Sequence, residues 1–320
     1  MRGISSATKK VAQDLLENAN SAKPLVRRQF LDANQLQRLS LTLNRPSLFS
    51  DVSVKDLLEG PVKGTPIPPG YHLAYFTPAF VPHDLGPDGA DISYNPPPPF
   101  TRRMWAGGKL TWRKENLLRV ADNAVETTIL VSSEAKRTRQ GDEMIVVGVE
   151  KTFENSNGLA LVDRRDWVFH RPMDAVTQSK ELPDPGEERG THLPEAESST
   201  QISRDYLQTA VSLFRFSALT FNAHMIHYSK PWCQRVEGHP EIVVHGPLNL
   251  INMLDFWRDE TSGDGYAIPS TIAYRATAPF YAGERYRALL ELAQGESSVR
   301  LWRSDADGAA RVGMLGDIKH

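Results

Sequence analysis

The chain has one cysteine among its 320 residues, Cys233. A single cysteine excludes an intrachain disulfide and any metal site built from several thiolates, and it favours a reducing compartment. We interpret Cys233, which follows Trp232, as a packing residue, because a nucleophilic thiol needs a partner base and a lowered pKa. No apolar run approaches the roughly 20 residues that span a bilayer, and the N-terminus lacks the apolar segment of a secretory signal. We therefore predict a soluble protein with no membrane partner.

Strong charge of either sign is missing as well. The formal net charge of −2 gives no general attraction to nucleic acid, so we predict no nucleic-acid partner. The chain contains neither the glycine-rich loop of dinucleotide-binding proteins nor the Gly-Lys-Ser/Thr loop that binds nucleotide phosphates. Residues 2–12 are basic and free of acids, which is weakly typical of an organellar import sequence, but Asp14 and Glu17 interrupt the pattern early. The expected localisation is cytoplasmic or mitochondrial.

The first half of the chain has the pattern of helices followed by strands. An apolar fraction of 40% is enough to build a sizeable core. Residues 5–19 and 31–43 have the apolar spacing of amphipathic helices. Residues 109–170 read as four strands with hairpin turns at Gly141-Asp142 and Asn155–Gly158, and we interpret them as a four-strand meander.

The second half repeats this order after a break in composition. Residues 174–200 lose nearly all large apolar side chains and gain Pro, Glu and Ser, which is the composition of a linker. Beyond them, a strand at 202–209, a helix after Gly246 and strands at 273–292, 298–305 and 310–317 predict an α+β fold. We divide the chain into an N-terminal extension (1–26), a first half (27–173), a linker (174–200) and a second half (201–320).

One stretch, 214–248, concentrates the side chains that carry chemistry. It combines Asn222 with several histidines between two apolar segments. Phe214, Phe216 and Ala218 alternate with polar residues, which predicts a half-buried strand. After Gly246, apolar residues recur at helical spacing, which predicts a buried helix.

This stretch resembles a known motif. Asn222 and His227 are followed by a His-Gly pair, His245-Gly246, and the arrangement is similar to the hydratase 2 motif of the MaoC-like hot-dog family. The segment 217–228 (SALTFNAHMIHY) is more similar still to the type 2 hydroxyacyl-thioester dehydratases and the mesaconyl-CoA hydratase-like branch. Similar segments occur at 102–108 (RRMWAGG) and 273–284, so the resemblance covers roughly residues 27–315. It implies two hot dogs side by side, each an antiparallel sheet around a central helix. The first half (27–173) would then form the acyl pocket, and the second half (201–320) would carry the catalytic motif.

The resemblance also implies an activity, the addition or removal of water across the α,β bond of an acyl thioester. His227 would be the general base and acid, because its ordinary pKa lies near neutrality. Asn222 stands where the wider family has Asp, and an amide can orient water but cannot take a proton at pH 7. The first N–H groups of the helix at Gly246 would stabilise the enolate oxygen. No cofactor is implied, and His224 with His227 lacks a third ligand for a metal.

Substrate contacts are expected from both halves: Arg102, Arg103, Trp105, His224, His245 and Tyr228. A guanidinium suits a distal carboxylate or a CoA phosphate, although Arg102 and Arg103 are equally compatible with ordinary surface residues. Met225 and Ser229 depart from the branch, where Arg and Asp are common, and these departures favour a recruited or altered reaction.

Three functions follow, and the sequence leaves them open. The first is a hydratase or dehydratase acting on acyl-CoA or acyl-carrier-protein thioesters. The second is a hot-dog enzyme recruited to a biosynthetic pathway for a different dehydration, isomerisation or cyclisation. The third is a non-catalytic protein that binds acyl carriers. The partner in each case is a thioester, and the sequence leaves open whether the chain forms a homodimer.

Overall fold

The computed structural model describes residues 3–55, 60–138, 140–173, 193–196, 198, 200–305 and 308–320. None of the helices in these ranges is long and apolar enough to cross a membrane. The predicted linker, 174–200, lies almost wholly outside the described residues, so the division of the chain into four parts stays a prediction.

Strands account for most of the regular structure. They are β1 (Leu25–Phe30), β2 (Ser47–Phe49), β3 (Val52–Ser53), β4 (Arg102–Trp112), β5 (Asn123–Arg137), β6 (Glu143–Asn155), β7 (Gly158–His170), β8 (Gln201–Leu207), β9 (Thr271–Ala276), β10 (Arg285–Glu291), β11 (Glu296–Ser304) and β12 (Ala310–Lys319). Strands β2 and β3 form a small separate hairpin, and the other ten form one sheet in the order β1-β5-β6-β7-β4-β9-β12-β11-β10-β8.

The sheet consists of two halves with the same internal order. Read from its outer edge, the first half runs β1-β5-β6-β7-β4 and the second runs β8-β10-β11-β12-β9. The halves join where β4 pairs antiparallel with β9, from Gly107 opposite Arg275 to Thr111 opposite Thr271. Glycine is needed at this join, because a Cβ at Gly107 would lie 2.5 Å from the carbonyl oxygen of Tyr274. The structure therefore confirms the predicted α+β class.

Four α-helices longer than two turns accompany the sheet in the described residues. They are α1 (Ser6–Ser21), α2 (Ala33–Thr42), α3 (Ala210–Leu219) and α4 (Gly246–Thr261). Pro247 stands at the start of α4, where its missing N–H costs no hydrogen bond. All residues from Leu248 to Arg258 are buried, so α4 is the central helix of the second half. The helices predicted at 5–19, at 31–43 and after Gly246 are confirmed.

The strand predicted at Phe214–Ala218 is wrong, because this segment belongs to α3. Thr209 and Ser212 form a reciprocal capping box that begins the helix. Leu213 and Phe216, three residues apart, are the buried side chains, whereas Phe214 is 67% exposed. The apparent alternation arose from an exposed phenylalanine, which a strand pattern counts as buried.

Two strand predictions also need correction. The four strands of the first half do not form a simple meander, because β4 pairs with β7 and leaves β5 to pair with β1. The segment 273–292 is not one strand. It contains the end of β9 and the whole of β10, which are not neighbours in the sheet. The two halves also differ in their helices: α4 has 16 residues, whereas α2, between β1 and β4, has 10 and is followed by a mostly irregular segment.

Candidate active site

A cavity of about 1160 Å³ lies between the two halves and collects most of the predicted site. The second half contributes Asn222, His224, His227 and Tyr228 together with Gly246, the first residue of α4. From the first half come Arg103 and Trp105 of β4. Arg102 and His245 do not line the cavity, although both were predicted to contact substrate.

A backbone hydrogen bond fixes the tautomer of the His227 ring. Its Nδ1 lies 2.8 Å from the carbonyl oxygen of Val243. A carbonyl oxygen can only accept, so Nδ1 carries the hydrogen and Nε2 of the neutral ring carries the lone pair. The Val243 N–H in turn donates to the carbonyl oxygen of Ile226 at 2.8 Å, which fixes the two segments against each other. Within the described residues Nε2 has no protein partner, and His227 lines the cavity.

His245 supports the ring of His227 from behind. The two imidazoles stack with centroids 3.6 Å apart and 17° between their planes. The Nε2 atom of His245 lies 2.9 Å from the hydroxyl of Ser217 on α3, and the ring of Phe216 packs edge-on at 4.9 Å. His245 is fully buried and does not line the cavity, so it packs behind His227.

The fold lowers the pKa of His227 well below its ordinary near-neutral value. Burial, followed by the nearby His224, lowers the pKa of His227 to about 3, and the Val243 carbonyl opposes this only in part. Burial, Arg103 and His239 likewise lower the pKa of His224 to about 3. Both rings are therefore neutral at pH 7, and the lone pair on His227 needs no prior deprotonation.

Asn222 and His224 tie the motif to a loop of the first half. The Asn222 Oδ1 atom accepts the backbone N–H of His224 at 3.1 Å, and the structure gives the Asn222 side-chain nitrogen no protein partner in the described part of the chain. The Nε2 atom of His224 lies 3.3 Å from a carboxylate oxygen of Asp88. Because His224 stays neutral, this is a contact between an imidazole and a carboxylate, not an ion pair. The Met225 N–H donates to the Asp88 carbonyl at 2.8 Å.

The two departures from the family branch have local roles. The backbone N–H groups of both Tyr228 and Ser229 donate to the Met225 carbonyl, at 3.2 and 2.8 Å, which closes the turn that ends the motif. The hydroxyl of Ser229 accepts the Trp232 N–H and caps a short helical turn, Lys230–Trp232. Tyr228 is 49% exposed and lines the cavity, which places it at the mouth.

Gly246 begins α4 beside the cavity, so the N-terminal N–H groups of the helix are available to an anion there. Close packing explains the glycine at this position. A Cβ at this position would lie 2.9 Å from the indole ring of Trp105. Glycine is thus required by the close packing of the two halves, and Trp105 covers one side of the helix start.

The two predicted arginines are both engaged by protein. Arg102 Nε donates to Glu237 Oε2 at 2.7 Å, and its Nη2 donates to the Glu237 carbonyl at 3.1 Å. Arg102 therefore stabilises the second half and does not line the cavity. Arg103 lines the cavity, but its Nη1 donates to the Asp91 carbonyl at 2.7 Å and its guanidinium lies over the Trp167 ring.

No group of three His, Cys, Asp or Glu side chains in the described residues could hold a metal ion.

Sequence reasoning missed other polar residues of the site. Ser217 and Asp88 contact the motif only through the fold, and no spacing in the sequence pairs them with it. It also missed five charged residues of the first half that line the cavity: Arg27, Asp91, Glu126, Lys151 and Arg165.

Solved structures identify the class of fold. A MaoC-like dehydratase from Phytophthora capsici superposes with a TM-score of 0.63 at 13% identity, over 96% of this chain and 98% of the other. A Mycobacterium tuberculosis protein described as having a double hot-dog fold gives a TM-score of 0.56 at 13% identity, over 93% and 95% of the two chains. The fold is a double hot dog, as predicted.

Sequence comparison narrows the class to a family. The hydroxyacyl-thioester dehydratase type 2 family matches residues 70–282. The mesaconyl-C(4)-CoA hydratase of Chloroflexus aurantiacus is 33% identical over 69% of this chain and 75% of its own length. The mitochondrial hydroxyacyl-thioester dehydratase type 2 of Schizosaccharomyces pombe is 27% identical over 74% of this chain and 80% of its own. The chain therefore belongs to this MaoC-like family of hydro-lyases.

Proposed function

We propose that this protein adds or removes water across the α,β bond of an acyl thioester carried by CoA or an acyl carrier protein. The observation that carries the proposal is the hydrogen bond from His227 Nδ1 to the Val243 carbonyl, which leaves the lone pair of Nε2 available in the cavity. The names of the relatives support the substrate class. That the fission yeast relative is named mitochondrial supports a mitochondrial localisation over a cytoplasmic one.

In the dehydration direction, His227 Nε2 removes the proton from Cα, and the electron pair moves toward the thioester oxygen. The enolate that forms accepts a hydrogen bond from the Gly246 N–H, where the helix also contributes partial positive charge. The β-hydroxyl, oriented by the side-chain amide of Asn222, leaves with the proton that His227 carries. The products are the enoyl thioester and water, and His227 returns to its neutral form.

The low pKa of His227 is compatible with this cycle. A neutral imidazole can act as a base at once, and the imidazolium that forms lies next to an enolate of opposite charge, which raises its pKa while the intermediate lasts. Asn222 cannot relay the proton, so a single residue must both take and return it.

The test is turnover of trans-2-enoyl, itaconyl and mesaconyl CoA thioesters, followed by loss of enoyl absorbance. His227→Ala should lower kcat by roughly 10²- to 10⁴-fold, the usual contribution of a general base. Asn222→Asp should keep measurable activity, whereas Asn222→Ala should lose most of it. His83→Ala, at an exposed histidine outside the cavity, is the matched control.

Hydration that survives His227→Ala with unchanged kcat would refute the assignment of the base. No turnover of any of the thioesters by the unaltered protein would refute the proposed reaction, and it would favour the recruited enzyme or the acyl-carrier-binding protein instead.

A further inference from the structure

The inner face of the first half carries a cluster of buried charges that the proposed reaction does not use. Glu126 and Lys151 have side chains that are 2% and 8% exposed, and their Oε1 and Nζ atoms lie 3.0 Å apart. Arg27 reaches the same carboxylate oxygen at 2.6 Å from the edge strand β1. Asp163 is fully buried and binds Arg165 Nε at 2.8 Å. We call these five residues the charge cluster.

The charge cluster is positive overall. Three cations face two carboxylates, and the adjacent His72, 3.1 Å from Asp163, is neutral because burial lowers its pKa. Burial, and after it the neighbouring Arg165, lowers the pKa of Lys151 to about 8, although Glu126 opposes the shift. An excess positive charge in a buried place is costly unless an anion compensates it.

The sheet itself does not require charges at this place. The corresponding inner face of the second half presents buried apolar side chains on matching strands: Ala288, Leu290, Val299 and Leu301. That face packs against α4. Because apolar packing is often at least as stabilising as a buried ion pair, the cluster in the first half suggests a role beyond holding the strands together.

Two members of the charge cluster have donors left over, and both line the cavity. The ammonium of Lys151 has three hydrogens and donates to Glu126 and to the Thr128 hydroxyl, at 3.0 and 3.2 Å. Arg165 uses Nε and Nη2 on Asp163, and its Nη1 bonds to no protein atom among the described residues. One ammonium N–H and one guanidinium nitrogen are thus free for an anion.

The charge cluster lies close to the proposed reaction centre. The Arg165 guanidinium lies 5.5 Å from the ring of Trp105, and the same ring packs against Gly246 at the start of α4. The indole of Trp105 therefore lies against both the guanidinium and the start of α4, whose N–H groups are proposed to bind the thioester oxygen. An acyl chain with its thioester at Gly246 has a short path to the cluster.

We propose that the charge cluster binds a distal carboxylate of the acyl group, so that the protein prefers thioesters of dicarboxylic acids, with Lys151 and Arg165 as the donors. This rests on the proposed function for the placement of the thioester. Arg102, which binds Glu237 and does not line the cavity, then has no part in the preference.

The experiment compares the binding of saturated thioesters, which cannot be hydrated and so report recognition apart from catalysis. Calorimetry gives the Kd of succinyl-CoA against butyryl-CoA and of glutaryl-CoA against pentanoyl-CoA, pairs that differ only in a carboxylate or a methyl group. Because the CoA part is common, its phosphates cancel. At least one dicarboxylic thioester should bind roughly 10- to 100-fold tighter than its partner, the usual gain from a charge-assisted hydrogen bond.

Variants locate the preference. Lys151→Met should reduce it to less than threefold, and Lys151→Gln, which keeps a donor for Glu126, should do the same and serves if the Met variant does not fold. Lys136→Met, at a half-exposed lysine of the same sheet that does not line the cavity, should leave it unchanged. Equal binding of both members in both pairs by the unaltered protein, or a preference that persists in the Lys151 variants, would overturn the proposal. Failure of enoyl turnover alone would count against the reaction and not against this recognition.

Discussion

The neutral histidines under the cavity should make the protein sensitive to acid. His224 and His227 both have a pKa of about 3 in the folded chain, against the model-peptide value of 6.5 expected after unfolding. Between these values the unfolded state binds more protons than the folded state. Stability is therefore present above about pH 6.5 and is lost progressively as the pH falls toward the folded pKa.

The size of the stability loss follows from how steeply the free energy of unfolding changes with pH. Each group contributes up to about 1.36 kcal/mol per pH unit between its two pKa values. From pH 6.5 to pH 5 this is about 2 kcal/mol for each histidine, or about 4 kcal/mol for His224 and His227 together. A typical domain has a free energy of unfolding of about 5–15 kcal/mol, so the loss should be easy to measure.

The assay is urea unfolding at pH 7.5 and pH 5.0, comparing the unaltered protein with the double variant His224→Gln/His227→Gln. The amide of Gln at position 227 keeps a donor for the Val243 carbonyl but cannot be protonated. The drop in unfolding free energy between the two pH values should be about 4 kcal/mol smaller in the double variant. His83→Gln, at a histidine whose side chain is 83% exposed, should drop as much as the unaltered protein.

An equal drop in the double variant and in the unaltered protein would refute this reasoning. It would mean that the two rings are already protonated, or exposed, in the folded chain. The neutral base assumed in the proposed reaction would then also be wrong.

Two further predictions concern the join between the halves and the arginines beside it. Gly246→Ala would press a Cβ against the Trp105 ring, so it should lower the free energy of unfolding by about 1–3 kcal/mol. It should also lower kcat, because it disturbs the start of α4. The control in a thermal melt is Gly263→Ala, where an added Cβ would have nothing within 4 Å. Arg102→Met should leave KM unchanged, because Arg102 binds Glu237 and does not line the cavity. The same variant should lower the free energy of unfolding by about 1–3 kcal/mol, because the Glu237 carboxylate loses its partner. A raised KM would mean that Arg102 contacts the substrate after all.

The order of elements could be predicted from the sequence because most of it depends on local patterns. The helix at Gly246–Thr261 has a continuous apolar spacing and a proline at its start, and both signals act within a few residues. The hairpin turns at Gly141 and Gly158 are also local, since both glycines have positive φ, of 102° and 98°. The order of strands in the sheet is not local, and the pairing of β4 with β7 and β9 could not be read from the pattern.

The motif could be predicted, but the environment that sets its chemistry could not. The spacing of Asn222 and His227 identified the family, yet the low pKa of His227 depends on burial and on His224, which only the fold supplies. The inward positions of Glu126 and Lys151 were missed for a similar reason. In a strand pattern, a charged residue at every second position indicates an outer face, whereas here those positions face a cavity.

The join between β4 and β9 makes the alignment of the two halves an all-or-none property. Side chains along a strand alternate between faces, so a slip of one residue would turn Trp105 away from Gly246 instead of shifting it slightly. Gly107 and Gly108 restrict such slips, because only positions without a Cβ can lie against Tyr274. The sequence of residues 102–108 (RRMWAGG) is thus constrained by the pairing of the two halves more than by substrate binding. Substitutions in this segment should therefore disturb the alignment of the two halves before they change which acyl group the protein accepts.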